Sequence, residues 1–146
     1  MTEVTFHSGV GDRLDYACRL LRKAQRAGSR IAVVGTSGDL AELDRALWSF
    51  DALSFVPHVR LAAGAQPAPA QGAATPIWLL ERAADVPPGV PLLLNLGPDV
   101  APGFESFERL IEVAGAANEE RLAGRRRWKH YTERGYTLVH HDRSGA

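Results

Sequence analysis

The stretch Ile31-Ala32-Val33-Val34-Gly35-Thr36-Ser37-Gly38-Asp39-Leu40 decides the fold. Its four leading apolar residues are of strand length and show no alternation, the pattern of a buried strand. Gly35 to Asp39 make a turn, and Leu40, Leu43 and Leu47 then recur at helical spacing. Asp39 and Glu42 have the spacing of a capping box, with Asp in place of the usual hydroxyl residue. Trp48 falls one step, about 100 degrees, off the leucine stripe, which predicts partial exposure of its indole.

Upstream, Thr2 to His7 reads as a strand, and Gly9, Gly11 and Asp12 signal a helix start. Leu14, Ala17, Cys18, Leu21 and Ala24 then form one apolar stripe that Gly28 ends. Downstream, Phe55-Val56-Pro57 begins an extended segment. Residues 62–75 contain no charge and are rich in Ala, Gly, Pro and Gln, which predicts a flexible loop. Pro76 to Leu80 and Pro91 to Leu94 are short apolar runs flanked by turn residues, hence buried strands. Phe104 to Val113 fits period 2 and period 3.6 alike. Asn118 is placed to cap a last helix running to about Arg134, Gly135 ends it, and Tyr136, Leu138 and Val139 open a final strand before a frayed tail, 141–146. Alternating strands and helices predict an α/β, Rossmann-like single domain over residues 1–146, its largely parallel central sheet flanked by helices.

The 146 residues carry 17 basic and 17 acidic side chains. That balance argues against a protein that coats duplex DNA. One cysteine, Cys18, excludes an internal disulfide and fits a reducing cytoplasm; its place on the core stripe makes it a buried thiol. The N-terminus shows neither a basic n-region nor an apolar h-region, and no apolar run approaches membrane-spanning length, so no membrane association is expected.

Sites for chemistry are sparse. Gly35-Thr36-Ser37-Gly38 follows a strand, where a phosphate could sit, but neither G-x-G-x-x-G nor G-x-x-x-x-G-K-[ST] is present. No nucleotide site, cofactor or metal is therefore expected. The adjacent pair His140 and His141 points apart on a strand, and His58 lacks an evident carboxylate, serine or cysteine partner in the sequence. No catalytic residue is assigned, and the protein is not expected to be an enzyme.

What stands out is a basic, aromatic stretch: Arg121, Arg125, Arg126, Arg127, Trp128, Lys129, Tyr131 and Arg134. Arg121, Arg125, Trp128 and Lys129 fall at i, i+4, i+7 and i+8, placing three cations around one indole on a single helix face. Such a face can pair charge-assisted hydrogen bonds to a carboxylate or phosphate with apolar contact beside them.

With these residues in view, the chain resembles the chi subunit family of bacterial DNA polymerase III. The likeness is carried by Thr5-Phe6, by Ala46-Leu47-Trp48 through Ser54-Phe55-Val56-Pro57-His58, and by Arg125 to Tyr131 with Gly135-Tyr136. It implies a Rossmann-like fold without nucleotide chemistry and a non-catalytic accessory role in the clamp-loader complex. Any polymerase activity would belong to the holoenzyme. The resemblance further implies recognition of the acidic C-terminal tail of single-stranded DNA-binding protein, which ends in an aromatic residue with a free carboxylate. The matching positions are Trp48, Phe55, Arg125, Trp128 and Lys129, with Arg121 adding charge. On this reading Trp48, Phe55 and Trp128 wall a slot where the second helix meets the last one, and Lys129 or Arg125 grips the carboxylate. The psi subunit or the clamp loader is a further implied partner, and nucleic acid is touched only indirectly. Two rivals are a direct single-strand binder, with Trp128 and Tyr131 stacking on bases, and a Rossmann-type nucleotide-using enzyme.

Overall fold

The computed structural model describes residues 1–49, 57–61 and 77–144. Along these the chain runs β1 (Glu3–Val10), α1 (Arg13–Arg26), β2 (Ile31–Val34), α2 (Ser37–Ser49), β3 (Val59–Arg60), β4 (Ile77–Leu80), β5 (Leu92–Asn95), β6 (Arg109–Gly115), α3 (Asn118–Glu133) and β7 (Leu138–Asp142). The strands form one sheet in the order β3-β4-β2-β5-β6-β1-β7, with every neighbouring pair parallel. This is the α/β, Rossmann-like arrangement expected from the sequence.

The apolar runs carry no alternation because both faces of the sheet are covered. Ile31 and Val33 of β2 pack with Ala17, Cys18 and Leu21 of α1 and Leu40, Leu43 and Leu47 of α2. Ala32 and Val34 face the other way, into a core shared with Phe6, Trp78, Phe104 and Tyr131 of α3. α1 and α2 therefore lie on one face and α3 on the other. The connections leaving β6 and β1, which are neighbours, go to opposite faces, so their carboxyl ends flank a crevice of the kind where α/β sheets bind ligands.

Several local expectations shift once the packing is seen. The cap of α2 is Thr36, whose Oγ1 accepts from the Asp39 N–H at 3.2 Å. Asn118 is the first residue of α3, not its cap, and its Oδ1 accepts from Arg121. The ambiguous 104–113 stretch divides into a single 3-10 turn, Phe104–Ser106, and the strand β6, whose place between β5 and β1 buries it on both faces and erases alternation. β7 continues through Asp142, beyond the expected fraying point, because β1 pairs with it as far as Ser8. Phe55, Val56 and the 62–75 loop lie outside the described residues, whereas Pro57 and His58 are described and lead directly into β3.

Burial pushes Cys18 up to about 11, reinforced by Asp15 and Asp12, which leaves a protonated, poorly nucleophilic thiol at neutral pH. His7 is driven the other way. Burial, then His141, Arg143, His140 and Lys23, lower it from 6.5 to about 4 while its Nδ1 lies 2.6 Å from the Tyr16 hydroxyl. The unfolded chain thus takes up this proton before the folded one, so stability falls as pH drops from about 6.5 to about 4. A His7→Gln variant should show a shallower fall over that interval in chemical unfolding; an unchanged slope would show that His7 does not contribute.

Candidate functional site

A cleft of about 490 Å³ opens at the carboxyl ends of β6, β1 and β7, beneath the N-terminal half of α3. Its floor is Phe6, Ala114 and Gly124, its helical wall Arg121, Arg125 and Trp128, and its far wall His140 and Asp142 of β7 with Ser144 beyond. Two glycines shape it. A Cβ at Gly124 would lie 2.8 Å from the Ala114 Cβ, so only glycine lets α3 rest this closely on β6. Gly9 adopts φ +69 at the register irregularity of β1, and a Cβ there would meet the Ser144 nitrogen at 2.8 Å. Replacing Gly124 by Ala should destabilise the fold by about 1 to 3 kcal/mol through this overlap, measurable by urea unfolding.

Trp128 is half-buried. Its ring meets Phe6 edge-on at 5.5 Å and His140 at 5.5 Å, which holds one side of the indole and leaves the rest lining the cleft. Arg121 bonds Asn118 at 2.9 Å, whereas Arg125 has no hydrogen-bond or ion-pair partner among the described residues. An unengaged guanidinium beside an apolar floor is suited to bidentate capture of a carboxylate. Lys129 stands outside the cleft lining, with an exposed side chain 3.8 Å from Glu133. On the far wall, Asp142 is held below the usual carboxylate range by the Ser144 side-chain and backbone bonds, at 2.6 and 2.9 Å. The His140 Nε2 lies 2.6 Å from the Ser8 hydroxyl.

The slot expected between the two helices does not form. Trp48 is 61% exposed on α2 and packs its ring 5.1 Å from His58, just before β3 at one edge of the sheet. Trp128 sits on the opposite face, over β1, next to the other edge. β3 and β1 are five strand spacings apart in the sheet order, roughly 24 Å. The two indoles cannot share a ligand ring. The carboxylate missing beside His58 in the sequence is also supplied here: Asp44 Oδ1 lies 2.8 Å from His58 Nε2.

Two residues of the basic, aromatic stretch face inward. Arg127 is 4% exposed; its Nε donates to Glu112 at 2.9 Å, and its other nitrogens donate to the carbonyls of Pro98 and Val113. Glu112 is fully buried and also accepts from the Tyr131 hydroxyl and from Asn95 at 3.1 Å. Burial pushes the Glu112 pKa up, against the opposing pull of Arg127, Tyr131 and Asn95. All its contacts are donors, so the pocket is built for the carboxylate form. Tyr131, with no exposed surface, cannot stack on a base as the single-strand reading required. The helical wheel carried the signal: Arg127 lies four residues from both Ala123 and Tyr131, on the buried stripe, and Glu112 is the only acid in an apolar strand.

No group of three or more His, Cys, Asp or Glu side chains among the described residues could hold a metal ion, and no described helix is long and apolar enough to cross a membrane. Residues 1–139 match the family described as DNA polymerase III chi subunit, HolC. The DNA polymerase III subunit chi of Pseudomonas aeruginosa is 34% identical over 149 residues, covering 97% of this chain and 96% of that protein. The match over residues 1–139, with 34% identity across nearly the whole of both chains, shows that this chain belongs to the DNA polymerase III chi subunit family.

Proposed function

We propose that this protein is a non-catalytic accessory subunit of the DNA polymerase III clamp-loader complex, and that its α3 cleft binds the acidic C-terminal tail of single-stranded DNA-binding protein. The observation that carries the reading is the convergence of Arg121, Arg125 and Trp128 with Phe6 around one cleft of about 490 Å³. The terminal ring enters against Trp128, Phe6 and Gly124. Arg125 takes the terminal carboxylate in a two-pronged hydrogen bond, and Arg121 draws in the acidic residues before it. Docked in this way, the subunit tethers the replicase to coated single-stranded DNA.

One aromatic anchor and one or two charge-assisted bonds support an affinity of about micromolar, roughly 8 kcal/mol, after the cost of ordering the peptide. The decisive experiment is a titration with a tail peptide bearing either a free or an amidated C-terminus. The free form should bind at least about tenfold more tightly, and its affinity should fall as salt screens the arginines. Equal binding of both forms would remove carboxylate capture from the reading. Tight binding of a bare oligonucleotide with none of the peptide would favour direct single-strand recognition instead.

A further inference from the structure

The cleft is continuous with a strand edge that nothing among the described residues covers. β7 pairs with β1 on one side only. The Val4 N–H donates to the Thr137 carbonyl and the Arg143 N–H to the Ser8 carbonyl, which fixes the alternation between them. Thr137, Val139, His141 and Arg143 direct backbone groups toward β1. Leu138, His140 and Asp142 therefore turn three N–H and three C=O groups outward. The strand has no proline, and β7 shows no register irregularity against β1, two of the devices that commonly blunt an edge.

Side chains of this strand also form a wall of the cleft: His140 and Asp142 line it. Arginine side chains stand on both faces of this edge. His140 shares one face with Arg121 and Arg125, and His141 and Arg143 lie on the other, where Arg143 Nε donates to Tyr16 at 3.1 Å. Asp142 is the one acid of β7 and is engaged by Ser144.

We infer that the open edge of β7 receives the extended acidic segment preceding the partner's terminal residue, as an eighth strand parallel to β7. This rests on the tail-binding reading of the cleft. The parallel direction follows from position: the cleft lies at the carboxyl end of β7, so a chain whose last residue is seated there approaches along the strand from Leu138 toward Asp142. Main-chain bonds to the edge hold the segment without demanding a particular sequence, and its alternating acidic side chains meet cations on both faces.

Hydrogen exchange on the full chain, with and without a ten-residue acidic peptide carrying a free terminal carboxylate, tests the edge directly. The amides of Leu138, His140 and Asp142 should gain protection on the order of tenfold, while those of Val139 and His141, already bonded to β1, change less. A scan of single N-methylated residues along the peptide should weaken binding about five- to tenfold at every second position upstream of the terminus. If binding still requires the carboxylate but the scan is flat and the β7 amides are unchanged, strand addition is overturned and the cleft reading stands. If the peptide does not bind, both fall. Protection that appears without peptide and grows with protein concentration would assign the edge to a second copy of the chain and also overturn the inference.

Discussion

Replacing Glu112 by alanine should lower the unfolding free energy by about 3 to 5 kcal/mol, the cost of leaving a buried charge without its partner. Arg127 would keep its place under α3 with only the Pro98 and Val113 carbonyls to accept from it, and the Tyr131 hydroxyl and one bond of the Asn95 amide would lose their acceptor. For a chain of this size the shift in melting temperature is on the order of 10 °C. Replacing Glu112 and Arg127 together by methionine should recover much of the loss, because removing both charges leaves neither one stranded. A single variant within about 1 kcal/mol of the parent in urea unfolding would show that the pair contributes little. The consequence reaches the site, since Arg127 adjoins Trp128 and stacks its guanidinium 5.8 Å from the Phe6 ring that forms the cleft floor. Loosening this anchor should blunt peptide binding as well as stability.

The second large effect concerns the cleft itself. Trp128→Ala and Arg125→Ala should each weaken binding of the tail peptide by about 1 to 4 kcal/mol, roughly fivefold to several hundredfold. Arg125→Ala should leave the melting temperature nearly unchanged, because that side chain has no internal partner among the described residues. Trp128→Ala should cost some stability through its lost contacts with Phe6 and His140. Lys129→Ala should have a smaller effect, less than about 1 kcal/mol, as expected of an exposed charge beside the cleft. Trp48→Ala provides the sharpest contrast: on the far edge and opposite face, it should leave peptide affinity within about twofold. Calorimetric titration of the four variants decides the matter. A loss in Trp48→Ala equal to that in Trp128→Ala would contradict the separation of the two surfaces.

Local sequence carried the helices and strands well, and the reason is visible in particular residues. Ile31 to Val34 reads as a buried strand because both faces are in fact covered, and the Leu14, Ala17, Cys18, Leu21 stripe reads as a helix because α1 buries one side only. The spacing of Arg121, Arg125 and Trp128 places them on one face whatever the rest of the chain does, and those three converge on the cleft. What failed was pairing across distance. The family resemblance implies one slot for Trp48 and Trp128, but the strand order, which no local spacing encodes, carries the two indoles to different edges of the sheet.

The amino-acid sequence by itself determined the periodic elements, the layered α/β class and the cationic, aromatic face of α3, because each depends on contacts within about one or two helical turns or on the two faces of one strand. Only the tertiary structure decided which side chains of that helix are exposed and which are core. The all-parallel order puts Glu112 under Arg127 and Tyr131, and puts β7 with His140 and Asp142 across from Arg125. It also carries Trp48 to the opposite edge. These pairings join residues far apart in the chain, and the order in which strands assemble, rather than any local spacing, fixes them.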